Sequence, residues 1–153
     1  MKVLMVCLGN ICRSPLAEGI LKAKIAASGL KGWEVDSAGT AGWHSGNPPD
    51  DRSVAVGKQH DIDISAQRSR QFRATDFDRF DFILVMDSSN YTNVKRLASS
   101  QEEINKIQLI MNYVTPKHNQ NVPDPYYDSD GFEHVYQMLD KACAALLKAH
   151  LVD

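Results

Sequence analysis

The chain of 153 residues lacks several features that mark particular classes of protein. No run approaches the ~20 apolar residues that a membrane-spanning helix needs. Seventeen Lys and Arg against nineteen Asp and Glu give a net charge of −2, which argues against a general binder of nucleic acid. The apolar opening at residues 2–8 is too short for an export signal, and the three cysteines are an odd number. We therefore expect a cytoplasmic protein with free thiols, acting neither in a membrane nor on nucleic acid.

Metal-binding patterns are also missing from the sequence. The five histidines show no metal-type spacing with one another or with the cysteines, although a structural or catalytic zinc site needs three or four such ligands. We therefore expect no metal and no other cofactor.

Strand-like and helix-like segments alternate along the chain. Hydrophobic residue types make up 43% of it, and the length suits a single domain over residues 1–153. Short apolar runs predict buried strands at residues 3–6, 33–38, 82–86 and 107–110. Between and after them, helical patterns begin at Pro15 (with Ser14 as N-cap), at residue 51, at Asp87-Ser88 with an end at about Ser99, and after Gly131. This alternation predicts an α/β fold with a doubly wound parallel sheet, whose ligands bind at the carboxyl ends of the strands.

The segment CLGNICRSP at residues 7–15 joins the first strand to the first helix. A loop at this place can turn successive backbone N–H groups towards an anion, and the helix N-terminus adds partial positive charge. Gly9 and Asn10 tolerate the left-handed backbone that such a tight curl requires. Arg13 supplies a planar fork that matches two phosphate oxygens. The sequence therefore predicts a phosphate-binding loop after strand one.

Cys7 lies at the base of this loop, where the same positive field favours its thiolate. A thiolate beneath a bound phosphate indicates nucleophilic attack on phosphorus, and Ser14 is placed to donate a proton to the thiolate as it leaves. The leaving oxygen also needs a proton donor. Asp124 is the best candidate, since Pro123 and Pro125 stiffen its loop, although an Asp-Pro turn is the commoner role for this pattern.

These segments together closely resemble the low-molecular-weight protein tyrosine phosphatases. Residues 6–15, VCLGNICRSP, read as the signature of that family. The segments DSAGT at 36–40, GNPPD at 46–50, MD at 86–87 and DPYY at 124–127 match further family segments in order. The resemblance extends over essentially the whole chain. It implies four parallel strands with helices on both faces, and a phosphocysteine mechanism without metal.

The resemblance also assigns residues to roles. It implies that Cys7 is the nucleophile, that Arg13 clamps the phosphate, and that Asp124 is the general acid and then the base for water. It implies that Asn10 locks the curl of the loop by bonding to Ser37. The residues expected to bind substrate and phosphate, or to wall an aromatic slot, are Leu8, Gly9, Asn10, Ile11, Cys12, Ser14, Trp43, Tyr126 and Tyr127. The implied partners are tyrosine-phosphorylated proteins. We expect the protein itself to be a monomer or a weak homodimer.

Two of the cysteines have further interpretations. Cys12 lies five residues after Cys7. The resemblance suggests a reversible disulfide between them that shields Cys7 from over-oxidation, and a small buried side chain is an equally good reading of Cys12. Cys143 lies on the apolar face of the last helix, and we expect it in the core.

Weaker signals surround the predicted slot. His44 follows Trp43 and is expected to be an ordinary solvated loop residue, with a place on the slot rim as the less favoured reading. Arg68, Arg70 and Arg73 form a basic cluster with Phe72. We expect this cluster to be an electropositive rim or a plain solvated face.

Several alternative functions stay open from the sequence. Related arsenate reductases carry a further cysteine pair that residues 60–100 lack. Related phosphoarginine phosphatases typically have Thr at the position of Ile11, and an apolar side chain there suits an aromatic ring better. A catalytically silent phosphotyrosine-binding module would need neither nucleophile nor acid. A thiol redox or zinc protein using Cys7 and Cys12 lacks the ligands for a closed metal site.

Overall fold

The computed structural model describes residues 1–128 and 130–151 and contains a four-stranded sheet. The strands are β1 (Lys2–Cys7), β2 (Glu34–Gly39), β3 (Phe82–Val85) and β4 (Ile107–Leu109). They lie in the order β2-β1-β3-β4, and every neighbouring pair is parallel. The four predicted strands and the doubly wound parallel sheet are confirmed, with strand ends that differ by a residue or two.

Helices connect the strands. They are α1 (Arg13–Ala27), α2 (Asp51–Gln59), α3 (Asp76–Arg79), α4 (Ser88–Lys95), α5 (Gln101–Asn105) and α6 (Gly131–Leu151), with a short 3₁₀ helix at Ile110–Tyr113. The helix predicted from Ser88 to about Ser99 ends earlier, at Lys95, and Ser100 accepts a hydrogen bond from the Glu103 N–H and caps the separate α5. Within the described part of the chain, no helix is long and apolar enough to cross a membrane.

Helix α1 begins two residues earlier than predicted, and this changes the role of Ser14. Arg13 is its first residue and Cys12 stands at the N-cap position without a side-chain cap. Pro15 still lies in the first turn, where its missing N–H leaves no intrahelical bond unmade. The prediction of Ser14 as N-cap is therefore wrong, and its hydroxyl makes other contacts. The helix ends before Gly29, whose φ of +67° is the left-handed conformation of a C-terminal stop.

The sheet carries one apolar layer on each face. Alternate side chains of β1 point in opposite directions, so Val3 and Met5 pack with α1 and α6, while Leu4 and Val6 pack with Phe77 on the other side. Both faces of β1 are thus buried, as its continuous apolar sequence indicates. The loops that leave the carboxyl ends of β1, β2 and β3 meet at one edge of the sheet.

Candidate active site

The loop between β1 and α1 curls around the Cys7 sulfur. Asn10 has φ +56°, in the left-handed region, and its backbone N–H donates to Cys7 Sγ at 3.3 Å. Gly9 is not among the residues with positive φ, so of the two residues that tolerate a left-handed backbone only Asn10 adopts it. A Cβ at Gly9 would lie 3.0 Å from the His44 ring, so a side chain there would require that ring to move.

Asn10 holds the curl through both ends of its amide. Its Nδ2 donates to Ser14 Oγ at 2.8 Å and to Ser37 Oγ at 3.0 Å, so the expected contact with Ser37 is present. Its Oδ1 accepts from the backbone N–H of Arg70 at 3.0 Å. Ser37 in turn donates to the buried carboxylate of Glu18 at 2.7 Å. A single asparagine therefore ties the loop to β2, to α1 and to the segment after residue 60.

Ser14 lies directly beneath the sulfur. Its Oγ is 3.0 Å from Cys7 Sγ and 3.4 Å from the carbonyl oxygen of Ala38. Because Asn10 already donates to this hydroxyl, the Ser14 proton is available to the sulfur, and the carbonyl is the more distant acceptor. Ser14 and Asn10 are both buried and neither lines the cleft. They support the loop from behind, and their expected contacts with substrate or phosphate stay a prediction.

Arg13 is only 2% exposed, and its guanidinium has fixed partners. Nη1 donates to a carboxylate oxygen of Asp87 at 2.7 Å and to the carbonyl of Val122 at 2.9 Å. Nη2 lies 3.7 Å from a carboxylate oxygen of Asp124. Burial acts to lower the pKa of Arg13, but nearby Cys7 and Asp87 outweigh it and raise the pKa, so the side chain stays cationic.

Asp87 is a site residue to which the sequence led us to assign only a helix cap. It does cap α4, since its carboxylate accepts from the Asn90 N–H at 2.8 Å in a capping box. The same carboxylate holds Arg13. An acidic residue directly after a buried parallel strand is the signal that could have placed it at this edge.

An open cleft lies above the sulfur. Predicted residues that line it are Cys7, Leu8, Gly9, Ile11, Cys12, Arg13, Trp43, Asp124, Tyr126 and Tyr127. The rim is strongly exposed, because Trp43 is 75% and Tyr127 is 94% accessible. His44 lines the cleft as well, so the preferred interpretation of it as an ordinary solvated residue is wrong. The Asp124 carboxylate also accepts from the Tyr126 N–H at 3.1 Å, so it makes the local turn and faces the cleft.

The other cysteines are neutral thiols in buried places. Burial, with Asp50 and Cys7 nearby, raises the pKa of Cys12 far above its usual range. Cys143 lies in the core as expected, where burial raises its pKa to about 12. Cys7 and Cys12 are free thiols, and the reversible disulfide between them stays a prediction.

The basic cluster is not a free electropositive rim. Arg70 forms ion pairs with Asp36 at 3.2 Å and with Asp76 at 3.0 Å, and Phe72 is buried in the second core layer. Arg68 donates to the carbonyl of Ser65 at 2.9 Å. In residues 1–128 and 130–151, no group of three His, Cys, Asp or Glu could hold a metal ion.

Comparisons with known proteins agree on one family. The family model "Low molecular weight phosphotyrosine protein phosphatase" matches residues 2–152. The human protein named low molecular weight phosphotyrosine protein phosphatase is 43% identical over 97% of this chain and 95% of its own. A protein tyrosine phosphatase from Entamoeba histolytica, solved with Hepes in the active site, is 38% identical with a TM-score of 0.90, covering 97% of this chain and 95% of its own.

A third relative is described differently. The structure of a Drosophila arginine phosphatase is 36% identical, with a TM-score of 0.91 and 98% of each chain covered. Similarity over nearly the full length of all these proteins shows the family as well as the fold. The chain is therefore a phosphatase that belongs to the low molecular weight phosphotyrosine protein phosphatase family.

Proposed function

We propose that the protein hydrolyses phosphotyrosine in proteins through a phosphocysteine intermediate on Cys7. Arg13 binds the phosphoryl oxygens, and Asp124 is the general acid and then the general base. The observation that carries this proposal is that all three side chains line one cleft, with Arg13 Nη2 3.7 Å from the Asp124 carboxylate. The cleft thus brings together a nucleophile (Cys7), a phosphate-binding cation (Arg13) and a proton donor (Asp124). This combination supports phosphoryl transfer to sulfur.

The first half-reaction transfers the phosphoryl group. The Cys7 thiolate attacks phosphorus, and a sulfur–phosphorus bond forms as the bond to the tyrosine oxygen breaks. Protonated Asp124 gives its proton to that oxygen, so neutral tyrosine leaves. Arg13 stays cationic and balances the charge on the transferring oxygens.

The second half-reaction regenerates the enzyme. The Asp124 carboxylate takes a proton from water, and the oxygen of that water attacks phosphorus. The sulfur–phosphorus bond breaks and phosphate departs. Ser14, 3.0 Å from the sulfur, donates a hydrogen bond to the thiolate that is released.

The walls of the cleft favour an aromatic substrate. Ile11, Trp43 and Tyr126 line it, and they present apolar and aromatic surface on which a phenyl ring can pack. Trp43 and Tyr127 extend into solvent, where they can contact the protein that carries the phosphotyrosine. The name of the Drosophila relative makes phosphoarginine the substrate to compare directly.

The deciding experiment measures initial rates on phosphotyrosine, phosphoserine and phosphoarginine, with chelator present, for wild type and Cys7→Ser. We expect fast turnover of phosphotyrosine that disappears in Cys7→Ser. Faster turnover of phosphoarginine would replace the proposed substrate. Binding of phosphotyrosine without turnover of any of the three would contradict the catalytic proposal and favour a silent binding module.

A further inference from the structure

We propose that Arg52 is a positioning residue, which braces the segment carrying Asp124 against the loop carrying Cys7. This inference rests on the proposed function, because it takes Asp124 as the proton donor. Arg52 lies in the first turn of α2, at the side of the cleft.

One end of the brace is on the segment that carries Asp124, residues 114–130, which we call the acid segment. Arg52 Nη2 donates to the carbonyl oxygen of Tyr126 at 2.9 Å. Its guanidinium also lies 4.7 Å from the ring centre of Phe132, within the range of a cation–π contact. The N–H of the same Tyr126 donates to Asp124 Oδ1 at 3.1 Å. Arg52 therefore holds the residue that orients the Asp124 carboxylate.

The other end is on the loop that carries Cys7. The Asp50 N–H donates to the carbonyl of Ile11 at 2.8 Å, and Ser53 Oγ donates to the carbonyl of Cys12 at 2.9 Å. The Asp50 carboxylate in turn accepts from Arg52 Nε and Nη2, each at 3.0 Å. A continuous set of hydrogen bonds thus runs from the loop, through the start of α2, to the acid segment.

The acid segment needs such a support. Within residues 114–130, the described part contains neither helix nor strand. Val122 is anchored at one end, where its N–H donates to the Met86 carbonyl and its own carbonyl accepts from Arg13. Tyr126 is anchored at the other end by Arg52. Asp124 lies midway between these anchors and its side chain is 39% exposed, so loss of either anchor frees the carboxylate to move away from the leaving oxygen.

The test compares two substrates that differ in their need for an acid. Phenyl phosphate expels a basic phenolate and depends on proton donation, whereas p-nitrophenyl phosphate expels a stable anion and depends on it little. In Arg52→Met, which keeps the aliphatic stem, we expect kcat/KM for phenyl phosphate to fall about tenfold, with a change of less than about twofold for p-nitrophenyl phosphate. Arg96→Met, on an exposed arginine that directly follows α4 and contacts Asn93, is the matched control and should change neither.

A double-mutant cycle separates this inference from the proposal on which it rests. Asp124→Asn should lower kcat/KM for phenyl phosphate more than Arg52→Met does, and Arg52→Met should have no further effect in the Asp124→Asn background. Equal losses on both substrates, or additive losses in the double variant, would overturn the brace while leaving Asp124 as the acid. Full activity of Asp124→Asn on phenyl phosphate would overturn the role of Asp124 and the brace with it.

Discussion

The guanidinium of Arg13 and the carboxylate of Asp87 form a hydrogen-bonded ion pair of 2.7 Å at the edge of the sheet. Arg13 comes from the start of α1, and Asp87 follows β3, a neighbour of β1. A buried cation without its partner is costly, because the charge has left water and no other group compensates it fully. The pair therefore stabilises the fold as well as holding the Arg13 fork in the cleft.

We expect Asp87→Ala to lower the free energy of unfolding by about 3 kcal/mol, since it leaves Arg13 buried with only part of its compensation. Asp87→Asn should cost about 1 kcal/mol less, because asparagine still caps α4. Urea unfolding at neutral pH measures both. An Asp87→Ala protein as stable as the wild type would show that the pair adds nothing to the fold.

The loop around Cys7 could be predicted from local spacing, and the match to family segments added Trp43, Asp124, Tyr126 and Tyr127, but two contacts that hold the site together could not be predicted. The strand–loop–helix order, Cys7, Arg13 and the curl at Asn10 all lie within a few residues, so their spacing alone predicts a loop around an anion. Asp87 and Arg52 act across the fold, on Arg13 and Tyr126, and no pattern along the chain pairs them.

The misplaced elements have physical reasons as well. Helices α3 and α5 have four and five residues, too few to show a helical apolar period. Ser14 followed by Pro15 resembles a cap and first helical residue, but the Ser14 hydroxyl bonds to Asn10 and Cys7 instead, and the helix starts two residues earlier, at Arg13. Because the local sequence allows more than one helix start, tertiary hydrogen bonds of the Ser14 side chain determined where α1 begins.

Asn10 combines a strained backbone with three hydrogen bonds, and two substitutions separate these contributions. Asn10→Gly removes the side-chain bonds but tolerates φ +56°, whereas Asn10→Ala removes the same bonds and adds backbone strain. We expect both variants to lose activity, and Asn10→Ala to be less stable than Asn10→Gly by about 1 kcal/mol. Thermal unfolding gives the difference. Equal stability of the two would mean that the loop relaxes out of the left-handed conformation.

Asp50 should make stability depend on pH. Hydrogen bonds from the Arg52 side chain, joined by the Arg52 backbone N–H, hold the pKa of Asp50 below its usual value. A carboxyl whose pKa is lower in the folded state stabilises the protein above its unfolded pKa of about 3.9, and this contribution is lost as the pH falls through the lower folded value. The contribution is therefore full at pH 7.

The variant Asp50→Asn keeps a good N-cap but removes the charge, so it isolates this contribution. We expect it to be less stable than the wild type by about 1 kcal/mol at pH 7, with the difference shrinking below about pH 4. Urea unfolding at the two pH values measures the change. A difference that stays constant with pH would assign the effect to shape and not to charge.

The three cysteines should differ sharply in reactivity. Only the thiolate reacts readily with iodoacetate, and burial raises the pKa of Cys12 and Cys143 so that both stay protonated at pH 7. Cys7 instead receives the Asn10 N–H and lies beside Ser14 and the cationic Arg13. We therefore expect iodoacetate at pH 7 to modify one cysteine per chain, Cys7, and to lower activity in proportion to the fraction of Cys7 that is modified.

Mass spectrometry after partial modification identifies the site, and Cys7→Ser is the control that should take up almost no reagent. Inorganic phosphate should slow the reaction, because it occupies the loop above the sulfur and competes for Arg13. Cys12 also lines the cleft, so it is the natural comparison within the same protein. Modification of Cys12 at a rate equal to that of Cys7 would contradict the assignment of Cys7 as the reactive nucleophile.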